Sequence, residues 1–183
     1  MSKAIIFFAD GLEECEALVT VDLLRRAGVE VVIASIMGRE EIVGAHKIAI
    51  RCDALAEALD LNAADAVILP GGLPGTEYLY ESELVRGAVQ TCADAGKLVA
   101  AICAAPTVPG RMGLLKGRRA TCYPGCEENM PGADYVDVET VTDGNFVTGS
   151  GLGAAIPFAL AVIAYLDGQE KSDKVRRSIV YRH

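Results

Sequence analysis

The chain has 183 residues, 51% of them hydrophobic with few aromatics, which suits one α/β domain with a sizeable Ala/Val/Ile/Leu core. Seventeen basic against 25 acidic residues give a formal net charge of -8, which argues against specific nucleic-acid binding, and no apolar run reaches the roughly 18–20 residues that span a bilayer. The six cysteines (15, 52, 92, 103, 122 and 126) are scattered through the chain, and no signal-peptide pattern follows Met1, so a cytoplasmic protein with reduced thiols is expected.

In chain order, Lys3–Ala9 is an apolar run that stops at Asp10-Gly11 and reads as a buried strand. Glu13 to Ala27 reads as a helix closed by Gly28. At 100° per residue Leu12, Glu16, Val19 and Leu23 share one face with Thr20 at its edge, while Glu14 points almost the opposite way and Glu13 sits at the margin. Glu16 is thus a carboxyl on the face that the helix should bury, where it must be hydrogen-bonded, paired or protonated.

Val29–Ser35 gives a second strand and a βαβ start. Gly38–His46 is polar and turn-rich, Lys47–Arg51 reads as a short strand, and Ala54–Leu61 as a short helix or turn. Ala66–Leu69 is a buried strand ending in Pro70-Gly71-Gly72-Leu73-Pro74-Gly75, at the carboxyl end of a strand where open α/β sheets bind ligands. The loop lacks the Gly-Lys-Ser/Thr ending of a phosphate loop. Glu81–Ala95 makes an amphipathic helix closed by Gly96.

The next run, Lys97-Leu-Val-Ala-Ala-Ile-Cys103-Ala-Ala-Pro106, carries the chemistry. A buried strand stops at Cys103 and a proline suited to a first helical turn follows, which is the arrangement of a nucleophile elbow. The N–H groups of the following helix would favour a thiolate there; the alternative is a strand-end cysteine that merely packs. After it, Pro109-Gly110 should shorten the helix, Gly117–Cys122 returns toward a strand, and Tyr123-Pro-Gly-Cys126 makes a turn. Tyr135–Thr142, Asp143-Gly-Asn145 and Phe146–Thr148 read as a hairpin. Gly149–Gly153 leads into an apolar helix, Ala154–Leu166, and Gln169–Val180 is a last amphipathic helix. The expected architecture is a single doubly wound α/β domain, residues 1–183, with strand-end loops gathered over Cys103.

A catalytic cysteine usually has an imidazole to take its proton. Here His183 is terminal and His46 lies far upstream, so a cysteine amidase or peptidase has no histidine in view, except His46 from a partner subunit. A Cys103–Glu16 pair needs none, and suits addition to an activated carbonyl or oxidation by peroxide. Cys122 and Cys126 have no second pair with which to make a metal site, so no metal is expected. Cys15 reads as ordinary core or as a resolving thiol for Cys103.

Taken together, Ala-Asp-Gly-Leu-Glu13-Glu14-Cys15-Glu16, Leu-Pro-Gly71-Gly72, Ala-Ala-Ile-Cys103-Ala-Ala-Pro and Thr148-Gly-Ser-Gly-Leu-Gly153 occur in an order and spacing that resemble the ThiJ/PfpI superfamily, closest to its parkinsonism-associated deglycase branch. The resemblance implies a flavodoxin-like fold, a homodimer, no cofactor, and a reactive cysteine at the elbow. It places the oxidisable nucleophile at Cys103, the protonated carboxyl at Glu16, and oxyanion donors on the backbone of Gly72 and Ala104, with Tyr123 and Gly71 as further substrate contacts. The activities it implies are glyoxalase action on methylglyoxal, deglycation of early adducts on proteins and nucleotides, oxidative-stress sensing and chaperoning. The sequence departs from the family pattern at Tyr123, where histidine is frequent, and at Ser150, where arginine is usual.

Overall fold

A computed structural model describes residues 1–182, so His183 lies outside the described residues. In chain order the elements are β1 (Lys3–Phe8), α1 (Glu14–Arg26), β2 (Glu30–Ser35), β3 (Glu41–Val43), β4 (Ala49–Arg51), β5 (Ala54–Leu55), β6 (Ala66–Leu69), α2 (Gly75–Glu81), α3 (Glu83–Asp94), β7 (Leu98–Ile102) and α4 (Thr107–Arg111). β8 (Arg119–Ala120), β9 (Asp134–Tyr135), β10 (Thr140–Asp143), β11 (Phe146–Gly149), α5 (Ala155–Asp167) and α6 (Gln169–Ser178) complete the chain. Seven strands form one sheet in the order β10-β11-β7-β6-β1-β2-β5, parallel throughout except for β10, which pairs antiparallel with β11.

Strand periodicity builds the two layers. In β1 and just beyond it, Ala4, Ile6 and Phe8 enter one apolar cluster while Ile5, Phe7 and Ala9 enter the other. In β7, Leu98, Ala100 and Ile102 face the first cluster and Val99 and Ala101 the second. The first cluster is closed by α1, α5 and α6 through Leu24, Phe158, Ile163 and Val175. The second is closed by α2, α3 and α4 through Leu79, Val85, Val89 and Val108. Both faces are covered, so the chain has the doubly wound, flavodoxin-like architecture that its run of buried strands implied.

Four local features differ from the sequence reading. Residues 54–61 start with the edge strand β5, on β2, before two 3-10 turns. β3 pairs with β4 in a small hairpin inside the stretch read as turns, because its three residues are too few to show a period. Helix α2 begins at Gly75, the last residue of the glycine-rich loop, and runs to Glu81; Ser82 then accepts the Val85 N–H to start α3 separately. The late hairpin keeps its Asp143-Gly-Asn145 turn, but β10 is only four residues long, and Tyr135 belongs to β9, which pairs with β8.

Phe158 is fully buried against the strand ends near Gly149 and Ile102. Phe158→Ala should cost about 3–5 kcal/mol in urea-induced unfolding, the cost of a lost aromatic ring plus the cavity behind it; a loss below about 1 kcal/mol would mean that the α5 face does not pack as described.

Candidate active site

β7 ends at Ile102, and Cys103 takes φ +65°, one of the few non-glycine residues in the left-handed region. That conformation costs about 1–3 kcal/mol and persists where surrounding bonds over-determine it. Here the Cys103 N–H donates to Gly149 O at 2.9 Å, Tyr123 N–H donates to Cys103 O at 2.8 Å, and Ala105 N–H donates to Ile102 O at 3.0 Å. The turn has a consequence for direction. Strand alternation would send residue 103 to the second cluster, yet Cys103 packs against the first, the side on which α1 lies.

On that side stands Glu16, 1% exposed. Its backbone N–H is capped by the Glu13 carboxylate at 2.7 Å, and its carbonyl accepts the Thr20 hydroxyl at 2.7 Å. Its Oε2 accepts the Gly71 N–H at 3.0 Å, whereas Oε1 is buried with no hydrogen-bond partner among the described residues. The loop after β6 can approach this closely only as glycine. A Cβ on Gly71 would lie 2.5 Å from Cys103 Cβ and 2.6 Å from Glu16 Oε2. Gly72, at φ +90°, has no space either, since a Cβ would lie 2.3 Å from the Glu13 nitrogen.

Burial dominates the electrostatics. It pushes the Glu16 carboxyl up to about 7; the thiol of Cys103 and the Gly71 N–H oppose that rise and the Glu13 charge adds to it. Cys103 is pushed up to about 12 by burial, then by the Glu16 charge and the hydrogen bond to Glu16, while the N–H groups of Ala104 and Gly72 pull it down. The expectation that the following helix sets a thiolate is therefore corrected. Helix α4 starts only at Thr107 and has five residues, and the N–H groups acting on the sulfur belong to the turn and to the glycine loop. The part of that rise that comes from the Glu16 charge is removed when Glu16 carries the proton. Cys103 and Glu16 are one coupled titrating unit.

The structure thus brings Cys103, Glu16, Gly71, Gly72 and Ala104 together. Tyr123, 54% exposed, joins the rim through its backbone bond to Cys103, and its ring lies within van der Waals reach of the Gly151 position. Ser150, on the same late turn, donates its N–H to Glu139 O. Cys15 is exposed on α1, which corrects its reading as ordinary core, and its thiol responds to Glu13, then to burial, Glu14 and Glu16.

His46 is held elsewhere. Its backbone N–H and Nδ1 bind the Glu14 carboxylate at 2.7 and 2.9 Å. Glu14 is accordingly 2% exposed, against the expectation that it faces away from the fold. The reason is the β3–β4 hairpin, which folds over the start of α1 through Gly11 N–H to Val43 O and Ala45 N–H to Leu12 O, both 2.8 Å. No spacing in the sequence announces this contact. Glu13, Glu14 and His46 offer ligand atoms within 4.8 Å of one another and are the described residues most able to hold a cation, although Glu14 and His46 already satisfy each other. Glu13 matters more than its marginal place on the helical wheel suggests; its position at the start of the helix is the signal of an N-cap.

A buried acid with a raised pKa stabilises the fold while it is protonated. The contribution of Glu16 is complete below its ordinary value of 4.5 and is lost as pH rises through about 7. The unfolding free energy of the natural chain minus that of Glu16→Gln should therefore fall by on the order of 3 kcal/mol between about pH 4.5 and pH 7.5. A pH-independent difference in urea titrations would show an ordinary carboxyl.

The geometry has counterparts. The chain is 38% identical over 183 residues to the protein dj-1beta of Drosophila melanogaster, covering 98% of each. It is 35% identical over 148 residues to a deglycase of Pyrococcus abyssi, covering 80% of this chain and 88% of that protein. The structure of oxidised Toxoplasma gondii DJ-1 superposes with a TM-score of 0.96 over 100% of both chains at 33% identity. With the DJ-1/PfpI family model matching residues 2–165 as well, the chain belongs to the DJ-1/PfpI family.

Proposed function

We propose that the chain is a cysteine-dependent, cofactor-free enzyme of glyoxalase or deglycase type, acting on methylglyoxal or on its early adducts with proteins and nucleotides. One observation carries this reading: Cys103 and the buried Glu16 carboxyl close on the same point at Gly71, where a Cβ would lie 2.5 Å from Cys103 Cβ and 2.6 Å from Glu16 Oε2, and the N–H groups of Gly72 and Ala104 act on the sulfur. The deglycase of Pyrococcus abyssi supports the substrate class.

The unit supplies the steps in order. The Cys103 sulfur adds to the aldehyde carbon and its proton passes by way of Glu16 to the aldehyde oxygen, giving a hemithioacetal and leaving Glu16 ionised. The N–H groups of Gly72 and Ala104 hold the oxyanion as it forms. Glu16, with a pKa of about 7, is poised to take the proton from the former aldehyde carbon and return it to the adjacent one. Water then releases lactate from the thioester and regenerates the thiol. Gly71 leaves space for the reacting atoms, and the Tyr123 hydroxyl is a hydrogen-bond donor at the rim.

A second reading is a non-catalytic redox sensor or chaperone in which Cys103 is oxidised beside Glu16; the oxidised Toxoplasma gondii DJ-1 structure favours it. In either reading the working form is a homodimer. The exposed apolar side chains Leu18 and Val180 flank a groove with Leu23 and Ile156 that a second copy would cover. Six free thiols suit a reducing, cytoplasmic setting, and no helix among the described residues is long and apolar enough to cross a membrane.

Incubation with methylglyoxal should produce lactate with the natural chain and at least a hundredfold less with Cys103→Ser. Equal lactate from both proteins would remove the enzymatic reading. No lactate from either, together with selective peroxide oxidation of Cys103, would favour the sensor.

A further inference from the structure

The β3–β4 hairpin packs on the link between β1 and α1, and the site is built on that same link. Gly11 N–H donates to Val43 O and Ala45 N–H to Leu12 O, both at 2.8 Å, while Asp10 Oδ1 accepts the Val43 N–H at 2.9 Å. The glycine loop closes on the same residues. A Cβ on Gly11 would lie 2.4 Å from Pro74 Cδ, one on Gly72 2.3 Å from the Glu13 nitrogen, and one on Gly75 2.7 Å from the Leu12 nitrogen. Residues 11–13 are therefore gripped by the hairpin and by the loop, with no slack to absorb a shift. Glu13, at the end of that grip, donates its N–H to Gly71 O and caps the Glu16 N–H.

His46 and Glu14 fasten the hairpin at this point. The buried Glu14 accepts the His46 backbone N–H on Oε1 at 2.7 Å and meets His46 Nδ1 with Oε2 at 2.9 Å. Gly44 comes so close that a Cβ there would lie 2.2 Å from Glu14 Oε1. Of the other charged groups around the clasp, Glu13 Oε1 stands 3.9 Å from His46 Nδ1, and Arg39 holds Asp10 at 2.5 Å ahead of β3. Burial pushes the Glu14 carboxyl up, but the His46 ring and the backbone N–H groups around it outweigh burial and hold the group below its ordinary range. Glu14 is thus a buried carboxylate at neutral pH, and one of its oxygens depends on a single imidazole. Without that ring, Oε2 gains a partner only if water reaches it, for which the hairpin has to lift.

We propose that His46 is a positioning residue for the Cys103–Glu16 unit: by clasping Glu14 it holds the β3–β4 hairpin against residues 11–13 and so keeps Glu13, and through it Glu16, seated at the Cys103 turn. When the hairpin lifts, Gly11 and Leu12 lose their partners in it and Glu13 slackens. Water then reaches Glu16, and the Glu13 charge moves away from it. Burial and that charge both keep the proton on Glu16, so both changes lower the pH at which Glu16 ionises. The role rests on the coupled Cys103–Glu16 unit of the proposed mechanism, and on no particular substrate.

The His46 side chain is 69% exposed, so truncating it opens the clasp without opening the core. Two readouts on full-length His46→Ala and His46→Asn test the role: the pH profile of Cys103 alkylation by iodoacetamide, and amide hydrogen exchange at Gly11 and Ala45. In His46→Ala the inflection that belongs to Glu16 should move down from about 7 by about half a pH unit or more, and exchange at both amides should quicken about tenfold. Asparagine places an N–H where Nδ1 stands, so His46→Asn should restore both readouts although it carries no charge. An inflection that stays in place or rises in His46→Ala overturns the proposal. So does an equal fall in both variants, which would make the imidazolium charge, rather than the clasp, the cause. No inflection in the natural chain would remove the Cys103–Glu16 unit itself, and the role of His46 with it.

Discussion

A carboxyl taken out of water beside a thiol is the constraint on which the rest of this structure depends. Glu16 has one oxygen bonded to Gly71 and the other buried with no hydrogen-bond partner among the described residues. Such a group is stable mainly when it carries a proton, and the neighbouring sulfur is the other place where that proton can reside. Much of the local architecture reads as a means of holding these two atoms together. Cys103 is turned into a left-handed conformation that reverses the side expected from strand alternation. Gly71 and Gly72 bring a backbone to within distances that no side chain would permit.

The fold makes that arrangement rigid. β6 and β7 are adjacent parallel strands whose ends deliver the glycine loop and the elbow to the same edge of the sheet. β1, on the other side of β6, delivers the start of α1 there as well. Segments from three adjacent strands therefore meet at one sheet edge, each anchored by a buried strand. Glu13 links two of them: its N–H donates to Gly71 O at 2.9 Å while its carboxylate caps α1 at Glu16. It also adds negative charge that helps to keep the Glu16 proton in place. The same residue thus sets position and protonation.

The residues alone reveal the parts of this arrangement that local pattern encodes. The strands are visible because their apolar runs are buried on both faces, and Glu16 stands out because a carboxyl shares a helical face with leucine and valine. Cys103 is marked by the abrupt end of its strand before small residues and proline. Contacts made by long-range packing are not visible. The Glu14–His46 pair spans 32 positions, and only the docking of the β3–β4 hairpin explains why Glu14 is buried. Helix α2 is hidden by the glycines and prolines before it, and the proton balance between Cys103 and Glu16 depends on burial that no local pattern encodes. The family resemblance supplies the arrangement of the site; the geometry supplies the reason why a following helix is not what governs the sulfur.

The central claim is that Glu16 and Cys103 titrate as one unit. The rate of Cys103 alkylation by iodoacetamide as a function of pH, in the natural chain and in Glu16→Gln, tests it most directly, with the modified residue identified by mass spectrometry. The account predicts an inflection near pH 7, the range of Glu16, followed by a plateau, and the disappearance of that inflection in Glu16→Gln. A single rise through the ordinary thiol range near about 8.5, the same in both proteins, would contradict it.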